Sequence, residues 1–316
     1  MPAMRQIWAF SEKSELLAEL LGGARALAGE TGDSVSAVVL GPRDACDAAL
    51  SAGAEKVLWL GERGENMVED YVPTLAKIVA DGSPRVLLIG ATKTGKAVAG
   101  RLAARLGTST IADVKRFGVD GDAVRGEHLI FGGGAVQVEQ PVGGVLLATA
   151  RSGIFEAAEA GAADGDVEEV SFEEPEWRLT LREVKAKPAS SVNLSAAKRV
   201  VCIGLGVKQE TDLEMINELA GVMEAEVGCT RPLAEGLDWL PRERYIGVSG
   251  AMLKPEIYLG IGVSGQVQHT VGIVDSRIVV GINKDEKASI FDQSDYGIVG
   301  DLYKVVPALT EALKKR

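Results

Sequence analysis

The chain has 316 residues, 46% of them hydrophobic, enough for two domains with their own cores. Its formal charge of −11, from 34 basic and 45 acidic residues, works against salt-dependent attachment to nucleic acid or to an anionic membrane. Cys46, Cys202 and Cys229 are scattered, odd in number and without a C-x-x-C pair, which argues against a disulfide framework or a thiolate metal site and fits a reducing cytosol.

The N-terminus, MPAMRQIWAFSEKSELL, turns polar after Phe10, and apolar runs such as RVLLIGA fall short of the ~20 residues of a membrane span. An unprocessed, cytoplasmic chain is expected. Short runs rich in Val, Ile and Leu (QIWAF, SVSAVVLG, KVLWLG, RVLLIGA) alternate with segments of helical spacing. That alternation predicts βα units around a largely parallel sheet covered on both faces. Crossover helices are expected over Ser14 to Leu27, Arg43 to Ala52, Tyr71 to Ala80 and Lys93 to Leu106. From Lys115 the pattern becomes glycine-rich and alternating, and FGGGAVQVEQPVGGVLLATA is read as strands on tight turns that extend the sheet.

Residues 156–193 are acidic and polar, carry Pro175 and Pro188, and are read as a crossover and linker. Regular alternation restarts at Lys198, so domains over 1–190 and 191–316 are expected. Strands are predicted in KRVVCIG, AEVGCT, RYIGVSG, EIYLGIGV, RIVVGIN and YGIVGD. Thr211-Asp212-Leu213-Glu214 reads as a capping box opening a helix to about Ala225, and a last helix starts at about Asp301. The fold class is therefore α/β, two domains, each with a mostly parallel sheet flanked by helices.

In open α/β sheets ligands bind outside the carboxyl ends of the strands, which selects the residues directly after each apolar run. In the second domain these are Leu205 and Gly206, Thr230 and Arg231, Ser249 and Gly250, then Ser264, Gly265, Gln268 and His269, and finally Asn283 and Asp301. Ser264-Gly265 at a helix start offers backbone N–H groups to a phosphate, while Asp301 and Asn283 offer partners to a ribose or a base edge. Each has a plainer reading: Asp301 as an N-cap, Ser264 as a turn residue, Arg231 as a surface charge, His269 as a packed ring. The GLG of residues 204–206 lacks the third glycine of a dinucleotide fingerprint, and the FGGG of residues 131–134 lacks the G-K-[ST] of a phosphate loop. These parts together describe a dinucleotide site, and a self-sufficient nicotinamide-dependent dehydrogenase and a nucleotide-binding scaffold without a redox cycle both stay open on these residues.

Four stretches, RYIGVSG, PEIYLGIGVSGQVQH, VVGINKD and IFDQSDYGIVGDLYKVVPALTEAL, follow one another in one order. Through them the C-terminal part of the chain resembles the flavin domain of electron-transfer flavoprotein α subunits. LLIGATKTGKAVAGRLAARLG and VLLATARSGIFEAAE extend a looser resemblance to the N-terminal part. The resemblance implies a C-terminal Rossmann-like FAD-binding domain and an N-terminal, partner-binding domain of nucleotide-hydrolase-like fold. It implies FAD with its pyrophosphate over Ser264, Gly265, Gln266, Val267 and Gln268, and its ribose near Asn283, Asp301 and Leu302. Arg231 then matches the arginine over the isoalloxazine, Ser249 the hydroxyl near N5, and His269 a donor near O2, where a reduced flavin carries negative charge. Thr230, Gly247, Val248 and Gly250 match further contact positions. Leu205 stands where many members carry an arginine near the pyrophosphate. Also implied are a β subunit as heterodimer partner, which holds most of any second nucleotide site, and a flavin dehydrogenase of the acyl-CoA dehydrogenase class or a related CoA-ester reductase. The role implied is that of an electron carrier in fatty acid β-oxidation, with no catalytic or metal-binding residue of its own.

Overall fold

The computed structural model describes residues 5–158, 161–184 and 193–315. The chain divides into one compact unit of residues 1–130 and 135–184 and another of 131–134 and 185–316. The expected division between 190 and 191 lies outside the described residues.

In the first unit, strands β1 (Gln6–Phe10), β2 (Ser34–Val39), β3 (Lys56–Trp59) and β4 (Val86–Gly90) alternate with helices α1 (Ser14–Thr31), α2 (Asp44–Ser51), α3 (Val72–Gly82) and α4 (Lys93–Leu106). The chain continues through β5 (Thr110–Ile111), β6 (Arg116–Asp120), β7 (Ala123–Ile130), β8 (Ala135–Glu139), β9 (Leu146–Ala150) and β10 (Asp166–Glu169). The main sheet runs β10-β3-β2-β1-β4-β9-β5, and every pair in it is parallel. Because side chains alternate along a strand, Ile7 and Ala9 of β1 and Val86 and Leu88 of β4 pack under α1 and α2. Trp8, Phe10, Leu87 and Ile89 meet α3 and α4 on the other face. Continuous apolar runs are what a strand buried on both faces needs.

Two expectations are corrected in this unit. The glycine-rich stretch does not simply extend the main sheet: β6, β7 and β8 form a separate antiparallel sheet, and the chain returns to the main sheet only at β9. Its alternation encodes one packed and one wetted face, with Val136 and Val138 exposed. The acidic segment is not all linker, because Asp166–Glu169 pairs with β3 as a parallel edge strand. Its charged residues suit an edge, where they discourage further strand pairing, and they hide the apolar signal by which strands are read.

The second unit contains β11 (Arg199–Ile203), α5 (Leu213–Met223), β12 (Glu226–Cys229), α6 (Arg231–Ala234), β13 (Ile257–Ile261), α7 (Val267–Thr270), β14 (Val279–Asn283), β15 (Tyr296–Val299) and α8 (Leu302–Lys314). Its sheet is parallel throughout, in the order β12-β11-β13-β14-β15. On one face Val201, Ile203, Leu259, Ile261 and Ile282 meet Ile216, Leu219 and Ala220 of α5 and Val306 of α8. The opposite face, with Val200, Cys202 and Tyr258, is closed by Ile246, Leu253, Ile273 and Ile290 from connecting loops.

RYIGVSG is accordingly not a strand. Tyr245 and Ile246 make only isolated bridges, to Cys229 and Ala251, and their side chains go to opposite faces of the sheet. The expected capping box also shifts. The Asp212 carboxylate accepts the Gln209 N–H at 3.2 Å, and a short 3₁₀ turn over Glu210–Asp212 leads into α5. Among the described residues no helix is long and apolar enough to cross a membrane.

Candidate functional site

After β11 the chain places one neighbour, β12, on one side and the next strand, β13, on the other. The loops leaving β11 and β13 therefore diverge and open a crevice at the reversal of strand order. A cleft of 480 Å³ lies there, within the range of small-molecule sites. Its walls are Gly204 and Leu205 after β11, Thr230, Arg231 and Pro232 after β12, and Gly262, Val263 and Ser264 after β13, with Tyr245, Val248, Gln266, Gln268 and His269 from the loops.

The floor is main chain against main chain. A Cβ on Gly204 would stand 2.4 Å from the Gly262 carbonyl oxygen, and one on Gly262 would stand 2.7 Å from Cα of Gly206. Gly262 also has φ +63°, a left-handed backbone that a Cβ disfavours. Beyond it, the loop after β13 is pinned where the Ile290 N–H donates to the Ser264 carbonyl at 3.0 Å. The helix expected at Ser264-Gly265 begins only at Val267 and lasts a single turn, so its end carries little dipole field. What the loop offers instead is main-chain donors. Among the described residues, no acceptor within the chain meets the N–H groups of Gly265, Gln266, Val267 and Gln268. Four successive unmet N–H groups make a concavity suited to an anion such as a diphosphate.

Arg231 opens α6 and keeps its guanidinium largely exposed at the cleft. Its Nε donates to Oε2 of Glu235 at 2.7 Å, while the other oxygen of Glu235 lies 3.0 Å from Nε of Arg242. The carboxylate sets the direction of the guanidinium and leaves its charge at the rim. On the facing loop, the Val248 N–H donates to the Gln268 carbonyl at 2.8 Å, tying residues 245–251 to the β13 loop. Ser249 Oγ sits 3.4 Å from the Tyr245 hydroxyl.

His269 is buried, at 7% exposure, and lines the inner wall. Nδ1 lies 3.0 Å from the Ile246 carbonyl oxygen and Nε2 lies 2.6 Å from the Tyr258 hydroxyl. A carbonyl only accepts, so Nδ1 carries the proton; Nε2 then accepts from Tyr258. Burial pushes the imidazole down to about 4, and the Ile246 carbonyl opposes this only in part. The ring is neutral at pH 7, its one N–H is bonded to the Ile246 carbonyl, and Nε2 is an acceptor. Burial also raises the Cys202 thiol and pushes Cys229 up to about 12, so both stay protonated and unreactive. No group of three or more His, Cys, Asp or Glu able to hold a metal occurs among the described residues.

Residues 11–175 match the family model described as the electron transfer flavoprotein domain, and residues 193–274 match the electron transfer flavoprotein FAD-binding domain. The chain belongs to the electron transfer flavoprotein family. It is 40% identical over 317 residues to YdiR of Escherichia coli (strain K12), which is named as an electron transfer flavoprotein subunit. It is 36% identical over 318 residues to the protein FixB of Escherichia coli O157:H7 and of Shigella flexneri. Each of these comparisons covers 100% of both chains, and the electron transfer flavoproteins it resembles are those of the α-subunit type.

In this electron transfer flavoprotein, Thr230, Arg231, Val248, Ser264, Gln266, Gln268 and His269 of the predicted set come together on the cleft. Gly265 and Val267 line an adjoining groove with Ser289, Asp292 and Gln293, a groove that shares Gln266 and Gln268 with the cleft. Gly247, Ser249 and Gly250 flank Val248 in the same loop. Asn283, Asp301 and Leu302 line neither hollow. Asn283 Nδ2 donates to the Val263 carbonyl at 2.8 Å and its Oδ1 accepts the Asp285 N–H, so this side chain braces two loops. Asp301 caps α8 by accepting the Tyr303 N–H at 3.1 Å, and Leu302 is buried in the core. For Asp301, the plainer sequence reading as an N-cap describes what the side chain does.

Outside the predicted set, Gly204, Pro232, Tyr245, Gly262 and Val263 are also walls. Gly262 and Val263 had a signal: β13 stops at Ile261, two residues before the apolar run ends. Tyr245 had none, being read as a strand residue. Leu205 follows the strand-end rule and stands 61% exposed at the rim.

Proposed function

We propose that this chain is the FAD-binding α subunit of a heterodimeric electron carrier. The observation that carries the reading is the row of unmet N–H groups from Gly265 to Gln268, continuous with a cleft at the reversal of strand order and inside the part of the chain that matches an FAD-binding domain. Those residues fit the group: main-chain donors for its diphosphate, a permanent cation at Arg231 for a ring system that gains negative charge on reduction, and apolar walls from Leu205, Val248 and Val263.

When bound, the flavin supplies one- and two-electron chemistry. The chain's own residues bind it, orient it and set its surroundings. Arg231 places positive charge at the rim and favours the reduced form, Ser249 offers a hydroxyl beside N5, and His269 forms a neutral wall. Asn283, Asp301 and the main chain at Leu302 serve the ribose end. The partners are a β subunit and a flavin dehydrogenase of the acyl-CoA dehydrogenase class or a related CoA-ester reductase, with fatty acid β-oxidation in the cytoplasm as setting.

Coexpression with a β-type partner tests the reading. The purified pair is expected to be yellow, to hold FAD and to take electrons from such a dehydrogenase; a colourless pair from flavin-replete cells overturns it. One flavin per pair identifies a simple carrier and two a bifurcating complex. Arg231→Ala is expected to weaken FAD retention roughly tenfold and to lower the flavin potential. Equal retention and potential remove Arg231 from the site.

A further inference from the structure

An open sheet ends in strands whose outer main-chain groups have no partner within it, and such an edge recruits further strands unless it is blunted. The two parallel sheets have four edges between them, and three are blunted in three different ways. β10 carries Asp166, Glu168 and Glu169, and β5 is only two residues long. The outer side of β12 is taken by its own chain: the Ile246 N–H donates to the Cys229 carbonyl at 3.0 Å, and Nη1 of Arg244 donates to the Val227 carbonyl at 2.6 Å. The fourth edge, β15, has none of these devices. Its residues Tyr296, Gly297, Ile298 and Val299 are uncharged, and among the described residues no strand pairs with its outer side.

At this edge the apolar surface runs on past the core. The register places Tyr296 beside Val280 and Ile298 beside Ile282. Val280 and Ile282 belong to the core under α5 and α8, whereas Tyr296 is 66% exposed and Ile298 39%. On the opposite face Gly297 lies against Phe291, where a Cβ would stand 2.8 Å from Cδ1, and Val299 is 58% exposed. Apolar side chains on both faces, with bare main chain between them, are what a strand added from outside covers.

Charge selects the occupant. From Asp292 to Asp301 the charged residues are Asp292, Asp295 and Asp301, all exposed. A second copy is a poor fit. A two-fold axis between Gly297 and Ile298 would set Asp295 of each copy beside Gly300 and Asp301 of the other, so that carboxylates repel at both ends of a short ladder between chains of charge −11. We propose that the outer edge of β15 docks an extended segment of a different chain, apolar in its middle and bearing Lys or Arg at its ends. That chain is the β-type partner, an assignment that rests on the proposed heterodimer. The segment becomes a sixth strand of the sheet, held by main-chain bonds and kept in register by side chains that meet Tyr296 and Ile298.

Hydrogen exchange in the coexpressed pair tests this. Along a strand bonded on one side only, alternate N–H groups stay open to water. In the pair, every N–H from Tyr296 to Val299 is expected to exchange as slowly as those of β14. Alternate amides exchanging at the rate of an unstructured peptide overturn the docking edge, while the heterodimer stands. Ile298→Lys puts a charge where the parent side chain is already part-exposed, and is expected to weaken the pair roughly tenfold or more; parental pairing strength overturns the proposal. Asp295→Asn keeps an oxygen for the Val279 N–H, which the carboxylate accepts at 2.8 Å, and is expected to make pairing less sensitive to salt. Should Ile298→Lys fail to fold, the exchange pattern of the parent pair still decides. An assembly with two copies of each chain that Ile298→Lys halves assigns the edge to a second copy and overturns the proposal. A coexpression that yields no pair overturns the proposed heterodimer and this occupant together.

Discussion

Gly265→Ala is expected to destabilise the second unit by about 3 kcal/mol or more and to abolish flavin retention with it. Two costs add. The residue has φ +85°, where a side chain costs roughly 1–2 kcal/mol. Its Cβ would also stand 2.0 Å from N and 2.4 Å from Cα of Ile290 and 2.6 Å from the carbonyl carbon of Ser289. All three are main-chain atoms, so no rotamer change relieves the clash, and overpacking of this kind costs roughly 1–3 kcal/mol. Relief by moving residues 289–290 stretches the 3.0 Å bond from Ile290 to Ser264 that pins the loop. Urea unfolding at pH 7 measures the effect, with Gly100→Ala in α4 as the contrast: a Cβ there meets nothing within 4 Å, and a gain of up to ~1 kcal/mol is expected. A Gly265→Ala chain within 1 kcal/mol of the parent contradicts the packing described for this turn.

The second large effect is on stability against pH. Burial pushes His269 from the ordinary 6.5 down to about 4. Between those values the unfolded chain binds a proton that the folded chain refuses, so stability rises with pH across this window. The contribution is intact above pH 6.5 and is lost progressively as pH falls toward 4, where the loss reaches about 3 kcal/mol. Carboxylates titrate in the same range, so the comparison is between parent and His269→Gln, each unfolded in urea at pH 7 and at pH 4. The variant is expected to lose less on acidification, by about 3 kcal/mol; equal losses show that the ring is accessible or paired with an acid.

The sequence made the alternation of β1 to β4 with α1 to α4 plain because each strand, buried on both faces, is an unbroken apolar run, and α4 falls on the predicted residues. It hid β10, where an edge strand carries Asp166, Glu168 and Glu169, and it overstated Tyr245 and Ile246, whose apolar side chains serve two different cores across a bent loop. Strand ends located most of the cleft, since the rule that ligands sit at carboxyl ends needs only the apolar runs. The state of His269 was not legible. It depends on Ile246, Tyr258 and Cys202, separated from it by 23, 11 and 67 positions, and no local pattern relates them. Asn283 and Asp301 show the converse, for short-range bonds to Asp285 and Tyr303 account for much of what they do.

The contact of Gly204 and Gly206 with Gly262 has a consequence for how such a protein can change over time. Carbonyl and amide dipoles that come from the backbone cannot be deleted by a codon change, and any side chain added there pries the two turns apart. Change in what the cleft admits is thereby left to the side chains at its border, where Leu205 and Arg231 can be exchanged without disturbing the main-chain floor.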